Sequence, residues 1–129
     1  MLIAILMSAL GGTAVLAGVE TPPLTRGEVS ALRLSIKKYY VCGQCRKADG
    51  TVVRIALDLN PDGSIEGRPQ QVGATGDDPA ARDAIFRAGR RAIMRAAHAG
   101  AFEHLPTEKY DRWKRIIFKF TTEGLGRSQ

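Results

Sequence analysis

Residues 115–121, RIIFKFT, set Ile116, Phe118 and Phe120 at alternate positions, with Ile117, Lys119 and Thr121 between them. Successive side chains of an extended backbone point to opposite sides, so this spacing predicts a strand with one apolar face. Ile116, Phe118 and Phe120 should pack inward while Lys119 and Thr121 look outward, as in a sheet covered on one side. The approach to this strand is constrained too. Pro106 suits a first helical turn, where its fixed φ matches and its missing N–H has no bond to lose. Residues 107–112 therefore predict a short polar helix, with Tyr110 and Trp113 seating the turn against the core. A chain carrying this unit must supply other strands for residues 115–121 to pair with.

Those strands are legible upstream. Val53, Ile55, Leu57 and Leu59 alternate with Arg54, Ala56 and Asp58, and Asn60-Pro61-Asp62-Gly63 follows directly. Proline presets φ at the second turn position and glycine takes the left-handed residue that returns the chain, so a hairpin is predicted. The returning strand, residues 64–72, is interrupted by Gly67 and Pro69. Proline cannot donate to a ladder, which puts this strand at a sheet edge.

Two longer helices complete the pattern. Thr25 and Glu28 have the spacing of a capping box, and Val29, Leu32, Ile36 and Tyr39 or Tyr40 recur at helical intervals, predicting a helix that runs to about Tyr40. Asp78-Pro79 is a second start, with aspartate as N-cap and proline at the first position. From Pro79 to about Ala97, the residues Ala81, Ile85, Gly89, Ala92, Ile93 and Ala96 gather on one side and Asp83, Arg87, Arg90 and Arg91 on the other. Small residues dominate the apolar stripe, so this helix can lie close on a sheet, and Gly100 is placed to end it. The order helix-strand-strand-helix-short helix-strand implies an α+β domain, a three-stranded antiparallel sheet packed by helices.

The 129 residues give room for one core, and aromatics at 6% leave that core to be built largely from Ile, Leu, Val and Ala. The first residues stand apart from it. Leu2 to Val19 carries no charge, opens with LIAILM and contains Val15-Leu16-Ala17, a small-residue pattern like that at a signal-peptidase site, although no basic residue precedes it. Residues 1–17 read as a signal peptide cleaved after Ala17, or residues 2–19 as an N-terminal anchor associating the chain with the inner membrane. Either reading gives a periplasmic location, secretion, or attachment to the inner membrane facing the periplasm. Residues 18–27 read as a linker, 28–122 as the folded domain and 123–129 as a flexible tail.

Catalytic apparatus is not visible. No Ser or Cys sits in a nucleophile elbow, no metal triad is present, and Gly11-Gly12 belongs to the apolar segment and not to a phosphate loop. The pattern implies a non-enzymatic chain with no cofactor, no metal and no small-molecule substrate. Cys42 and Cys45 form a CxxC pair, which in an exported protein reads first as a local disulfide. A thiol–disulfide redox motif is the alternative, although the pair follows a helix where such motifs precede one. A zinc site would need two further ligands, and His98 and His104 are the only histidines. The net charge is +6, and from Pro79 onward eleven basic residues face five acidic ones. This excess suits an acidic partner, an anionic lipid surface or a nucleic acid, but no groove-reading motif or stacking-aromatic set accompanies it.

Three stretches together, ADGTVVRIALDLNPDGSI, the DDP-started helix rich in Ala and Arg, and LPTEKYDRWKRIIFKF, resemble the C-terminal domain of TolA, the envelope protein related in fold to TonB. The similarity covers nearly everything from Ser30 to Thr121. It implies a periplasmic interaction domain of the Tol-Pal cell-envelope system that contacts proteins of the TolB or Pal type, as well as imported toxins or phage proteins. In that family the domain follows a long helical stalk, whereas here only the short linker separates the apolar segment from the first helix. The family's disulfide joins the end of the first helix to the region after the long one, where this chain has Tyr39 and Gly100 or a neighbour. The resemblance further implies that the last strand pairs with the first, giving the sheet order second, first, third. Both outer strands are then edges. Pro69 blunts one, and the other, with Arg115, Ile117, Lys119 and Thr121, is the expected partner-binding edge by strand addition.

Overall fold

A computed structural model describes residues 21–43, 45, 50–122 and 124–125. The apolar stretch on which the signal or anchor reading rests lies outside the described residues. In chain order the elements are α1 (Arg26–Lys37), β1 (Val52–Leu59), β2 (Ile65–Thr75), α2 (Pro79–His98), a 3₁₀ turn (Thr107–Lys109), α3 (Tyr110–Trp113), β3 (Arg115–Thr121) and β4 (Gly124–Leu125). The fold is mixed α+β. Its antiparallel sheet runs β2-β1-β3, with the two-residue β4 added beyond β3.

Each helix begins where its cap chemistry allows. The Glu28 N–H donates to Thr25 Oγ1 at 3.1 Å and the Thr25 N–H to Glu28 Oε1 at 2.7 Å, a reciprocal capping box. That backbone bond, with the Lys109 ammonium 2.9 Å away, holds the Glu28 carboxyl below its ordinary pKa. The helix ends at Lys37, short of Tyr40, because the Tyr39 and Tyr40 N–H groups bond back to Ile36 and Lys37 in tight turns. At α2, Asp78 Oδ1 accepts from the Ala80 N–H at 2.9 Å, and Pro79 fills the first helical position. Its end is a Schellman motif: Gly100, at φ 88°, donates to the Ala97 carbonyl and Ala101 to that of Ala96.

The small-residue stripe sets the distance between helix and sheet. A Cβ on Gly89 would stand 2.8 Å from both Ile55 Cδ1 and Phe120 Cδ2, so α2 rests directly on β1 and β3. Around this contact Val53, Ile55, Leu57, Leu59, Ile85, Ile93, Phe118 and Phe120 are buried, and Leu32 and Ile36 close the core from α1.

The Asn60–Gly63 turn has a second constraint besides its geometry. Gly63 has φ 89°, and a Cβ there would fall 2.5 Å from the Phe102 carbonyl oxygen. Phe102, buried in the loop after α2, thereby locks the hairpin tip to the helical layer. Strand β2 is longer than the sequence implies, reaching Thr75, because two register shifts, between Arg54 and Ile55 and between Ala56 and Asp58, absorb its irregular residues.

At the same end of the sheet as this turn, where β3 begins beside the end of β1, Trp113 is 1% exposed and donates from Nε1 to the Pro106 carbonyl at 2.7 Å. Tyr110 packs edge-on against it and donates to the Leu59 carbonyl at 2.6 Å. The predicted seating of this turn is what the structure shows, with one difference: the helical stretch is split, a 3₁₀ turn passing into α3. Among the described residues no helix is long and apolar enough to cross a membrane.

Candidate protein-binding edge

The hydrogen-bond alternation of an antiparallel ladder decides which backbone groups of β3 are free for a partner. Leu59 donates to the Lys114 carbonyl at 2.8 Å, and the same register pairs Leu57 with Ile116, Ile55 with Phe118 and Val53 with Phe120. These β3 residues therefore bond β1. The intervening ones, Arg115, Ile117, Lys119 and Thr121, turn their N–H and C=O groups to the opposite side. They are the four residues that the sequence assigns to the docking edge.

The structure treats the four differently. Thr121 pairs with Gly124 of β4, and its carbonyl accepts from the Tyr40 hydroxyl at 2.7 Å. Burial at this contact raises the Tyr40 pKa to about 12. Gly124 and Leu125, within the stretch read as a tail, thus cover the far end of β3. Pairing by β4 reaches only Phe120 and Thr121, so among the described residues no strand pairs with β3 on this side from Arg115 to Lys119.

Side chains give the open edge its chemistry. Arg115 reaches across the uncovered face to both carboxylate oxygens of Asp58, at 2.9 and 3.1 Å. Ile117 is 42% exposed, an apolar contact beside the strand. Lys119 stands opposite Arg54. Two cations facing each other across a strand pair repel, so this end of the edge favours an incoming carboxylate. Sequence periodicity alone does not reveal that pairing, because it depends on the register between β1 and β3.

The other edge is built differently. The β1 residues that do not bond β3 bond β2, among them Ala56 opposite Gln70. The neighbouring Pro69 then occupies an outward position, where its missing N–H removes a donor. Gly67 takes φ 77°, and the two register shifts break the line of the strand.

The remaining candidate residues lie away from this edge. Cys42 and Cys45 are joined by a disulfide with Cα atoms 5.4 Å apart, and Cys45 is 3% exposed within the core cluster. The bridge pins the loop after α1 to the helical layer, where Cys42 Sγ lies 3.7 Å from the Ala84 carbonyl oxygen. His98 and His104 are exposed, and among the described residues no three His, Cys, Asp or Glu side chains converge as a metal site requires.

No known family, curated protein or solved structure matches this chain. The TolA resemblance rests on the residues quoted for it.

Proposed function

We propose that this chain is a non-enzymatic interaction module that binds an extended segment of a partner protein by adding it as a strand to the β3 edge. The observation that carries this reading is the set of outward backbone groups at Arg115, Ile117 and Lys119 on a proline-free strand, beside a second edge blunted by Pro69. Main-chain bonds would supply the attachment. Ile117 and the Arg54–Lys119 pair would select a segment with an apolar residue and a carboxylate. The resemblance to the TolA C-terminal domain supports a TolA/TonB-like arrangement and envelope partners of the TolB or Pal type, met in the periplasm.

Lys119 is a clean probe, because its N–H points outward and replacing it with proline removes no bond to β1. Affinity of wild type and Lys119→Pro for purified TolB-type and Pal-type proteins, with circular dichroism to verify the fold, tests the reading. A loss of about tenfold or more, roughly 1.4 kcal/mol, is expected. Undiminished affinity in a folded variant would sink strand addition.

A further inference from the structure

We infer that the outer side of α2 carries a second docking site, a cationic groove for an acidic amphipathic segment of a partner protein. Two concavities lie along this helix. Val41, Cys42, Gly43, Ala84, Arg87 and Ala88 line one, and Tyr39, Met94, Arg95, His98 and Ala99 line the other. Arg91 lines both, so the two adjoin along the outer face of α2 beside the chain leaving α1, and together they are treated as one trough. From Ala84 to His98 the helix rises about 21 Å, room for roughly four turns of a partner helix.

The walls and rim differ in kind. The floor is alanine, Ala84 and Ala88, with the Tyr39 ring at one side. Val41 and Met94 are 66% and 46% exposed, apolar surface that a monomer gains nothing by leaving in water. Along the rim stand Arg87, Arg91 and Arg95, four residues apart and so about 6 Å apart along the axis. Asp83 holds Arg87 at 2.6 Å, whereas Arg91 and Arg95 have no acidic partner among the described residues. No acidic residue lines either concavity.

Charge complementarity selects the occupant. Carboxylates repeating at the same interval on one side of a helix would meet the arginines in register, and Arg is the residue suited to bidentate carboxylate contact. An apolar residue on the same face would fill the trough beside Met94 and Val41. A concave seat favours such a segment over a lipid surface, which is flat and is met by protruding side chains. The disulfide supports the site mechanically, since the Cys42–Cys45 bridge fixes one of its walls.

The test uses the full chain and a synthetic helical peptide with Glu at about four-residue intervals and Leu on the same face. Its binding is read by fluorescence anisotropy in wild type, Arg91→Glu, Arg95→Glu, Arg82→Glu and Lys119→Pro. Arg82 lies on the same helix outside the trough, so Arg82→Glu makes the same charge change elsewhere. The expected result is a loss of roughly tenfold or more in Arg91→Glu and Arg95→Glu, with Arg82→Glu and Lys119→Pro close to wild type. Equal losses in Arg82→Glu and Arg91→Glu would reduce the effect to net charge and overturn the site. Absence of peptide binding in wild type overturns it as well, as does capture by phosphatidylglycerol vesicles without capture by the peptide.

Discussion

The two outer strands of the sheet share a partner, β1, but present different edges. Strand β2 carries a buried proline, a left-handed glycine and two breaks in register, while β3 runs through seven regular residues without proline. Both edges belong to one small domain whose exposed ladders would otherwise invite indiscriminate pairing. Under the proposed function, blunting one edge and leaving the other regular would direct strand addition to a single side. Pro69 does to β2 what Lys119→Pro would do to β3: each removes an outward donor from an edge strand.

The largest expected effect tests what keeps the regular edge regular. Trp113→Ala removes the buried ring that ties the start of β3 to Pro106, a cost of about 3–5 kcal/mol for a large core aromatic. Denaturant unfolding gives the magnitude. Hydrogen exchange should show Ile116 and Phe118 losing protection before the β1–β2 hairpin does, and uniform loss would mean that the two edges are not independently supported.

A smaller effect is expected at the opposite end of β3. Tyr40→Phe deletes the hydroxyl bond to Thr121, costing about 1 kcal/mol. The pH dependence follows from the pKa raised from 10.0 to about 12. The folded state keeps the phenolic proton more tightly than the unfolded chain, so the contribution is complete below pH 10.0 and is lost as pH rises through about 12. Thermal melts across this range should show wild type losing stability and Tyr40→Phe losing less. Parallel curves for the two proteins would remove Tyr40 as the group responsible.

The smallest stability change attacks the comparison itself. Pro69 is buried, and Pro69→Val restores an outward N–H to β2 while keeping an apolar side chain of similar volume, so stability should alter by less than about 1 kcal/mol. Its consequence should be concentration-dependent self-association, visible by analytical ultracentrifugation. A strictly monomeric variant would show that the register shifts and Gly67, not the proline, protect this edge.

Much of this architecture is legible in the sequence because its signals are local. The Thr25–Glu28 box, Asp78-Pro79, the Asn60–Gly63 turn and the alternation in β1 and β3 each act within a few residues, and each holds in the structure. What escapes is set by distant contacts. Phe102 is an isolated apolar residue in a loop, with no period to mark it, yet its carbonyl fixes the hairpin tip. The two residues of β4 are too few to show alternation, and their place depends on where Thr121 lies. Ala56 falls on the uncovered face by parity and is still buried, because long side chains of neighbouring strands can lie over so small a residue. At the candidate edge, the four residues were legible by parity alone. The division of labour among them, with Thr121 engaged by β4 and Tyr40 while Lys119 opposes Arg54, required the register.

Strand β4 also acts as a ruler. A segment added at β3 as proposed would lie only along residues 115–119, about 17 Å of extended chain, before it met β4. Three residues offer it outward donors and acceptors, so at most six backbone bonds form, each contributing about 0.5–1.5 kcal/mol net of lost water contacts. Attachment through so short a rail would be quickly reversible. Selectivity must then come from the few side chains beside the rail, and the stop at Thr121 decides which residue of the incoming segment meets each of them.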